Sequence, residues 1–214
     1  MTASSERKPR QDAQRNRATI VATAARHIAA NGVDASLDAI AKEAGVGPAT
    51  LYRHFPSREA LLAAVLRSHD DSLLAVREEL RQVKDSGTAL RGWLRALDEH
   101  FAAFTGVAEP LRYALDDEGS PLALTCHELT DMIEEFLIPA RRAGHTRPNV
   151  CSRDLLLAVL ATAWVAGTQP GDSARAAAVR DLLEHGYTSA HHPAASPEQT
   201  KGASTSTSKS RIAE

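Results

Sequence analysis

The residues of this 214-residue chain best suited to chemistry cluster between positions 36 and 58, and their chemistry is the binding of a polyanion. Ser36 stands where a short helix would begin; its hydroxyl and that helix's first N–H groups together suit a phosphate. Arg53 lies on a second short helical stretch, from which a guanidinium reaches a base edge or rests in solvent. Arg58 falls in the first turn of a further helix, where the dipole disfavours a cation, so a phosphate explains it better than helix stability does. Upstream, Arg7, Lys8, Arg10, Arg15 and Arg17 are interrupted only by the acid Asp12. Residues 1–58 hold nine Lys/Arg against five Asp/Glu, a balance of +4, and the remainder balances at −6. A basic front on an acidic body points to one part that meets nucleic acid and another that does not.

Enzymatic chemistry finds no comparable footing. No HExxH, GxSxG, Walker or dinucleotide-glycine pattern occurs. No CxxC pair offers a zinc site, so neither a metal nor another cofactor is expected. The histidines are scattered singly except His191-His192, and Asp116-Asp117-Glu118 suits a solvated face. Cys126 and Cys151 cannot form a disulfide framework in a chain this long. Arg153, close to Cys151, leaves a thiol sensor open as a rival reading. A helical protein-interaction module is a third class, which the basic front disfavours.

The elements that would position these residues are helices. Hydrophobic residues make up 43% and aromatics 4%, with 39 alanines, a composition that favours helices over strands. No alternating strand pattern, hairpin signal or internal repeat is visible, and the fold is expected to be all-α with about nine helices. Residues 1–14 read as a basic flexible arm. Ile20, Val21, Ala24, Ala25 and Ile28 then space a first helix from about Arg15 to Asn31. Ser36 opens a second, with Leu37, Ile40, Ala41 and Ala44 on one face and Gly45 ending it. Pro48 opens a third, to Phe55, burying Leu51 and Phe55. Ser57 caps a helix that the apolar stripe carries to Val83, about 40 Å if unbroken. Further helices are expected over Thr88–Phe104, Glu109–Asp117, from Ser120-Pro121 to near Gly144, over Arg153–Ala166 with Ser152 as cap, and from Asp172 or Ser173 to about Ala190. The last residues, 191–214, are rich in Ser, Thr and Ala and are expected to be disordered.

Two short helices joined by a tight turn and braced by a first helix form a helix-turn-helix arrangement, whose second helix enters the DNA major groove. The run GVGPATLYRHFPSREALLAAVL, preceded by LDAIAKEAG, resembles the TetR family of bacterial one-component transcriptional regulators. Ala41, Ala44-Gly45-Val46, Thr50-Leu51-Tyr52, His54-Phe55, Ser57, Arg58, Glu59 and Leu61-Leu62 carry the likeness, over roughly residues 15–75. The resemblance implies that Tyr52 and His54 bond phosphates, and that Thr50, with Pro48 and Ala49, approaches phosphates or base edges. Gly47 departs from the family's usual Ser or Thr, so a phosphate contact there falls to the backbone N–H.

The resemblance also implies a ligand-binding and dimerisation body, here residues 76–190. SPLALTCHELTDMI and RPNV resemble the SbtR-like branch of the family. Apolarity on more than one face of the penultimate helix suggests a homodimer through Leu156, Val159, Leu160, Ala163, Trp164, Val179, Leu182 and Leu183. An apolar cavity for a small effector is expected among Trp93, Leu97, Phe101, Phe104, Tyr113, Cys126, Leu129 and Ile133, with His100 or His127 as polar handles. The partners expected are a near-palindromic double-stranded operator, a small apolar or aromatic effector and a second copy, the whole acting as a repressor. The charged N-terminus and the shortness of the Leu155–Gly167 apolar run argue against secretion and membrane insertion, so a cytoplasmic protein is expected.

Overall fold

The structure, a computed structural model, describes residues 7–68, 70–167 and 173–188. The expected disorder of residues 191–214 lies outside these. Ten helices follow one another, and among the described residues there is no strand, only an isolated antiparallel bridge between Thr146 and Thr188. The all-α expectation is met.

The front is built from α1 (Arg7–Asn31), α2 (Leu37–Glu43), α3 (Pro48–His54) and α4 (Arg58–Ser68). Helix α1 begins eight residues before the expected Arg15, so the anticipated arm is helical from Arg7 onward. Pro9 falls in the first turn, where its missing N–H costs no helix bond, and Gln, Arg and Ala propagate the helix well. Ile20, Val21, Ala24, Ala25 and Ile28 are buried along its inner stripe. Ser57 Oγ accepts from the Ala60 N–H at 3.1 Å to open α4, whose residues Leu61 to Leu66 are all buried.

The body comprises α5 (Asp70–Arg81), α6 (Ser86–Ala102), α7 (Ala108–Ala114), α8 (Ala123–Arg142), α9 (Ser152–Ala166) and α10 (Ser173–Tyr187). The stripe expected as one helix over 57–83 is divided between α4 and α5, on either side of His69, which is not among the described residues. Helix α8 starts at Ala123 rather than at Ser120-Pro121. Ser120 instead makes a turn, its hydroxyl accepting from the Leu122 N–H and its carbonyl from the Ala123 N–H. Helix α9 is capped one residue earlier than expected, because the Asp154 carboxylate reaches back 3.1 Å to accept the Cys151 N–H.

Helix α6 is the centre of the body, packed against α5, α8 and α9, and α9 also meets α7 and α10. Trp93 of α6 is fully buried, stacked on Phe136 of α8 at 5.4 Å between ring centroids. Front and body share one continuous apolar core. Two ionic ties cross it. Asp98 of α6, only 3% exposed, accepts from the Thr162 hydroxyl of α9 at 2.6 Å and pairs with Arg180 of α10. Glu135 of α8 receives both Arg77 and Arg81 of α5.

Candidate nucleic-acid interface

The turn between α2 and α3 is fixed by local chemistry. The Ser36 hydroxyl accepts the Ala39 N–H at 3.3 Å and starts α2. The helix ends where Gly45 adopts φ +69°, a left-handed value that any side chain would strain. There the Gly45 N–H bonds to the Lys42 carbonyl and the Val46 N–H to that of Ala41, the paired bonds of a Schellman cap. Gly47 then serves as the N-cap of α3, its carbonyl accepting the Thr50 and Leu51 N–H groups, with Pro48 at the first helical position. Leu51 and Phe55 are buried in the shared core. Their fixed positions turn Pro48, Ala49, Tyr52 and Arg53 outward, with Thr50 and His54 half-buried beside them.

Tyr52 is 49% exposed. Neither Tyr52 nor Arg53 forms a hydrogen bond or ion pair with another described residue, so a phenol and a guanidinium stand free on a rigid helix. Space around Gly47 is open, with no atom within 4 Å of where a Cβ would stand. The surface therefore combines free donors with small residues that admit close approach, the requirements of groove binding.

Arg58 is placed differently from the sequence-based expectation. Its Nη1 donates to two carbonyls of the α1–α2 loop, Val33 at 2.8 Å and Ala35 at 2.6 Å, and the side chain is partly buried. The cation answers orphaned carbonyls behind the reading surface, rather than a phosphate in front of it. Two other braces escaped the sequence reading. The Arg17 guanidinium lies 4.9 Å from the centroid of the Phe55 ring, tying α1 to the end of α3. Glu43 of α2 takes Arg26 and His27 of α1, each at 2.7 Å, and these hydrogen bonds hold its carboxyl below the ordinary range.

The loop that Arg58 holds is also the front's link to the body. The Val33 N–H donates to the Thr105 carbonyl, between α6 and α7, at 2.9 Å. The approach is so close that a Cβ on Gly32 would stand 3.0 Å from that oxygen, and one on Gly106 would stand 2.9 Å from Val33 Cγ2. Both glycines have positive φ, so the junction needs glycine twice over.

The expected effector cavity is not found where the sequence placed it. Trp93, Leu97, Phe101, Phe104, Cys126, Leu129 and Ile133 are all buried, and their side chains fill the space between them as ordinary core. His100 sits edge-on to Phe101 and Phe104. Tyr113 points outward beneath the Arg112 guanidinium. Cys126 and His127 do line a cleft of about 180 Å³, with Thr130, Glu118 and Arg153. Burial pushes the Cys126 thiol up to about 11, while Cys151 is exposed. Iodoacetamide at neutral pH should therefore alkylate Cys151 readily and Cys126 only on unfolding; equal labelling of both in the native protein, read by mass spectrometry, would contradict this.

The dimer residues also divide. Leu156, Val159, Leu160 and Ala163 face inward and are buried within the subunit, because α9 is covered there by α6, α7, α8 and α10. Val179 and Leu183 are half-buried. Trp164, 58% exposed, and Leu182, 73% exposed, remain on the outer face with Leu157.

A short helix pair braced by a first helix, with its outer face stripped of internal bonds and an all-helical body behind it, defines a helix-turn-helix DNA-binding protein. The family model for bacterial regulatory proteins of the tetR family matches residues 20–65, and that for the SbtR-like transcriptional regulator C-terminal domain matches residues 85–188. A solved TetR transcriptional regulator from Streptomyces coelicolor is 32% identical, over 80% of this chain and 98% of that one, with a TM-score of 0.52. A structure described as the molecular basis for control of antibiotic production by a bacterial hormone is 26% identical, over 81% and 97% of the two chains, with a TM-score of 0.57. The HTH-type transcriptional activator FasR of Mycolicibacterium smegmatis is 43% identical over 63 residues, which span only 29% of either protein. The chain belongs to the TetR family and is a ligand-responsive, DNA-binding transcriptional regulator. No described helix is long and apolar enough to cross a membrane.

Proposed function

We propose that the protein is a repressor that binds a near-palindromic operator as a homodimer and is released by a small apolar or aromatic effector. The observation that carries the reading is the outward face of α3, where Tyr52 and Arg53 lack any internal partner while Leu51 and Phe55 anchor the helix. In this reading Arg53 reaches a base edge, with Thr50, Pro48 and Ala49 close to the groove floor. Tyr52 and His54 bond phosphates, and the Ser36 hydroxyl and the Gly47 N–H add contacts at the starts of α2 and α3. Occupation of a promoter by a dimer blocks transcription by simple overlap. FasR is an activator, and its likeness to this chain is confined to 63 residues. Activation is therefore the second reading, decided by where the operator lies relative to the promoter.

A selected operator and a scrambled duplex, titrated with wild type and two variants, test the assignment. Tyr52→Phe should weaken binding to both duplexes alike. Arg53→Ala should cost the operator about 1–3 kcal/mol and relax base choice at one position in each half-site. Equal affinity of the wild type for the two duplexes would remove sequence-specific regulation. Transcription in vitro from a template carrying the operator distinguishes repression from activation.

A further inference from the structure

A groove of about 650 Å³ runs between α7 and α9 and reaches α10, away from the core where the sequence placed the effector. Its walls are apolar, including Leu157, Ala161, Trp164 and Val179, and its α7 side carries Glu109 and Arg112. The volume lies in the range of small-molecule sites, about 300–1,000 Å³. Arg112 is held with its guanidinium 4.0 Å from the centroid of the Tyr113 ring and is within ion-pair distance of no described carboxylate. An oriented cation without a counter-charge, beside an apolar slot with an exposed indole, fits an aromatic carboxylate.

The groove's two walls converge on the junction with the DNA-binding front. Helix α7 begins two residues after Gly106, and the methyl of Thr105 lies 3.5 Å from where a Cβ on Gly167, just past α9, would stand. Thr105 also supplies the carbonyl that holds the Val33 N–H. A molecule wedged between α7 and α9 would therefore load the one residue that touches α9's end and the α1–α2 loop together.

We propose that the α7–α9 groove is the effector site, that it takes an aromatic acid with its ring against Trp164 and its carboxylate on Arg112, and that occupancy acts on DNA binding through Thr105. The proposal rests on the effector-released reading above and gives it a site and a ligand class.

The test uses the full chain, 2-naphthoate and its neutral counterpart 2-naphthamide, with tryptophan emission and operator affinity as readouts. Naphthoate should quench emission saturably in wild type and far less in Trp164→Phe, where only the buried Trp93 remains, and should weaken operator binding. Arg112→Gln should weaken naphthoate about tenfold, and Glu109→Gln should strengthen it by removing a like charge, with both leaving the amide unchanged. These opposite signs would not follow from a general loss of structure. Absence of saturable quenching at millimolar naphthoate, or quenching indifferent to both charge variants, overturns the site. So does saturation without any change in operator affinity. If another compound releases the operator while Trp164 emission stays unquenched, the effector-released reading survives and the groove assignment falls. Quenching that appears only once the protein is made monomeric by Leu182→Glu shows a second copy occupying the groove, and also overturns it.

Discussion

Leu182→Glu is expected to convert the protein from dimer to monomer at micromolar concentration and to lower operator affinity at least 100-fold. Leu182 is 73% exposed in the single subunit, so the new carboxylate stays in water and costs the monomer's fold almost nothing. In a two-fold dimer the same position occurs twice, and each copy would bring a charge into an apolar contact. Losing the dimer separates the two reading helices, and the second half-site contact then ceases to be intramolecular, which costs factors of 10²–10⁴. Sedimentation and operator titration measure the two effects, with far-UV circular dichroism as the control for folding. A dimeric Leu182→Glu protein with wild-type affinity would place the interface elsewhere. Leu160→Glu is not an equivalent test, because Leu160 is 3% exposed and a carboxylate there would disrupt the subunit itself.

Arg58→Ala is expected to destabilise the DNA-binding front by about 3 kcal/mol while leaving the salt dependence of DNA binding unchanged. Its Nη1 satisfies two partly buried carbonyls with charge-assisted bonds, each of a kind worth about 1.5–3 kcal/mol. Their loss frees the α1–α2 loop that carries Val33, so amide exchange should accelerate at Val33 and Ala35 and affinity should fall for operator and scrambled duplex alike. The measurement that separates this role from a phosphate contact is the slope of log K against log salt. A cation lifted from a phosphate lowers that slope by about 0.9 per contact, doubled by the symmetry of a dimer. A slope reduced by that amount would return Arg58 to the DNA.

The contrast between these residues shows what a single sequence makes legible. Ser36, Gly45 and Pro48 act through bonds to neighbours three or four positions away, so their residue types alone mark the two short helices and the turn. The apolar spacing of Ile20 to Ile28 likewise reports a local period, and the all-helical class follows from it. Arg58 was misread because its partners lie 23 and 25 residues upstream, where local pattern says nothing. Helix α9 showed two apolar faces, but its periodicity does not say which neighbour covers which, and four of the five α9 residues assigned to the dimer are covered by the subunit. Ser120 and Ser152 were plausible caps whose positions were decided by a tight turn and by Asp154. The aromatics of α6 and α8 signalled burial without distinguishing a filled core from a lined cavity.

The buried Asp98 sets a register. Arg180 and Leu182 are two positions apart on α10, about 200° around the helix axis, so turning one inward turns the other out. A shift of α10 by a single residue would move it 1.5 Å and rotate it by about 100°, withdrawing the guanidinium from Asp98 and leaving a buried carboxylate without its counter-charge. Intermediate settings are therefore penalised, and α10 has one azimuth rather than a range of them. The Thr162 bond applies the same constraint to α9. A charge hidden inside each subunit thus selects the stripe of side chains that α10 displays at its surface, and a neutral Asp98→Asn side chain would let that stripe wander without altering a single residue in it.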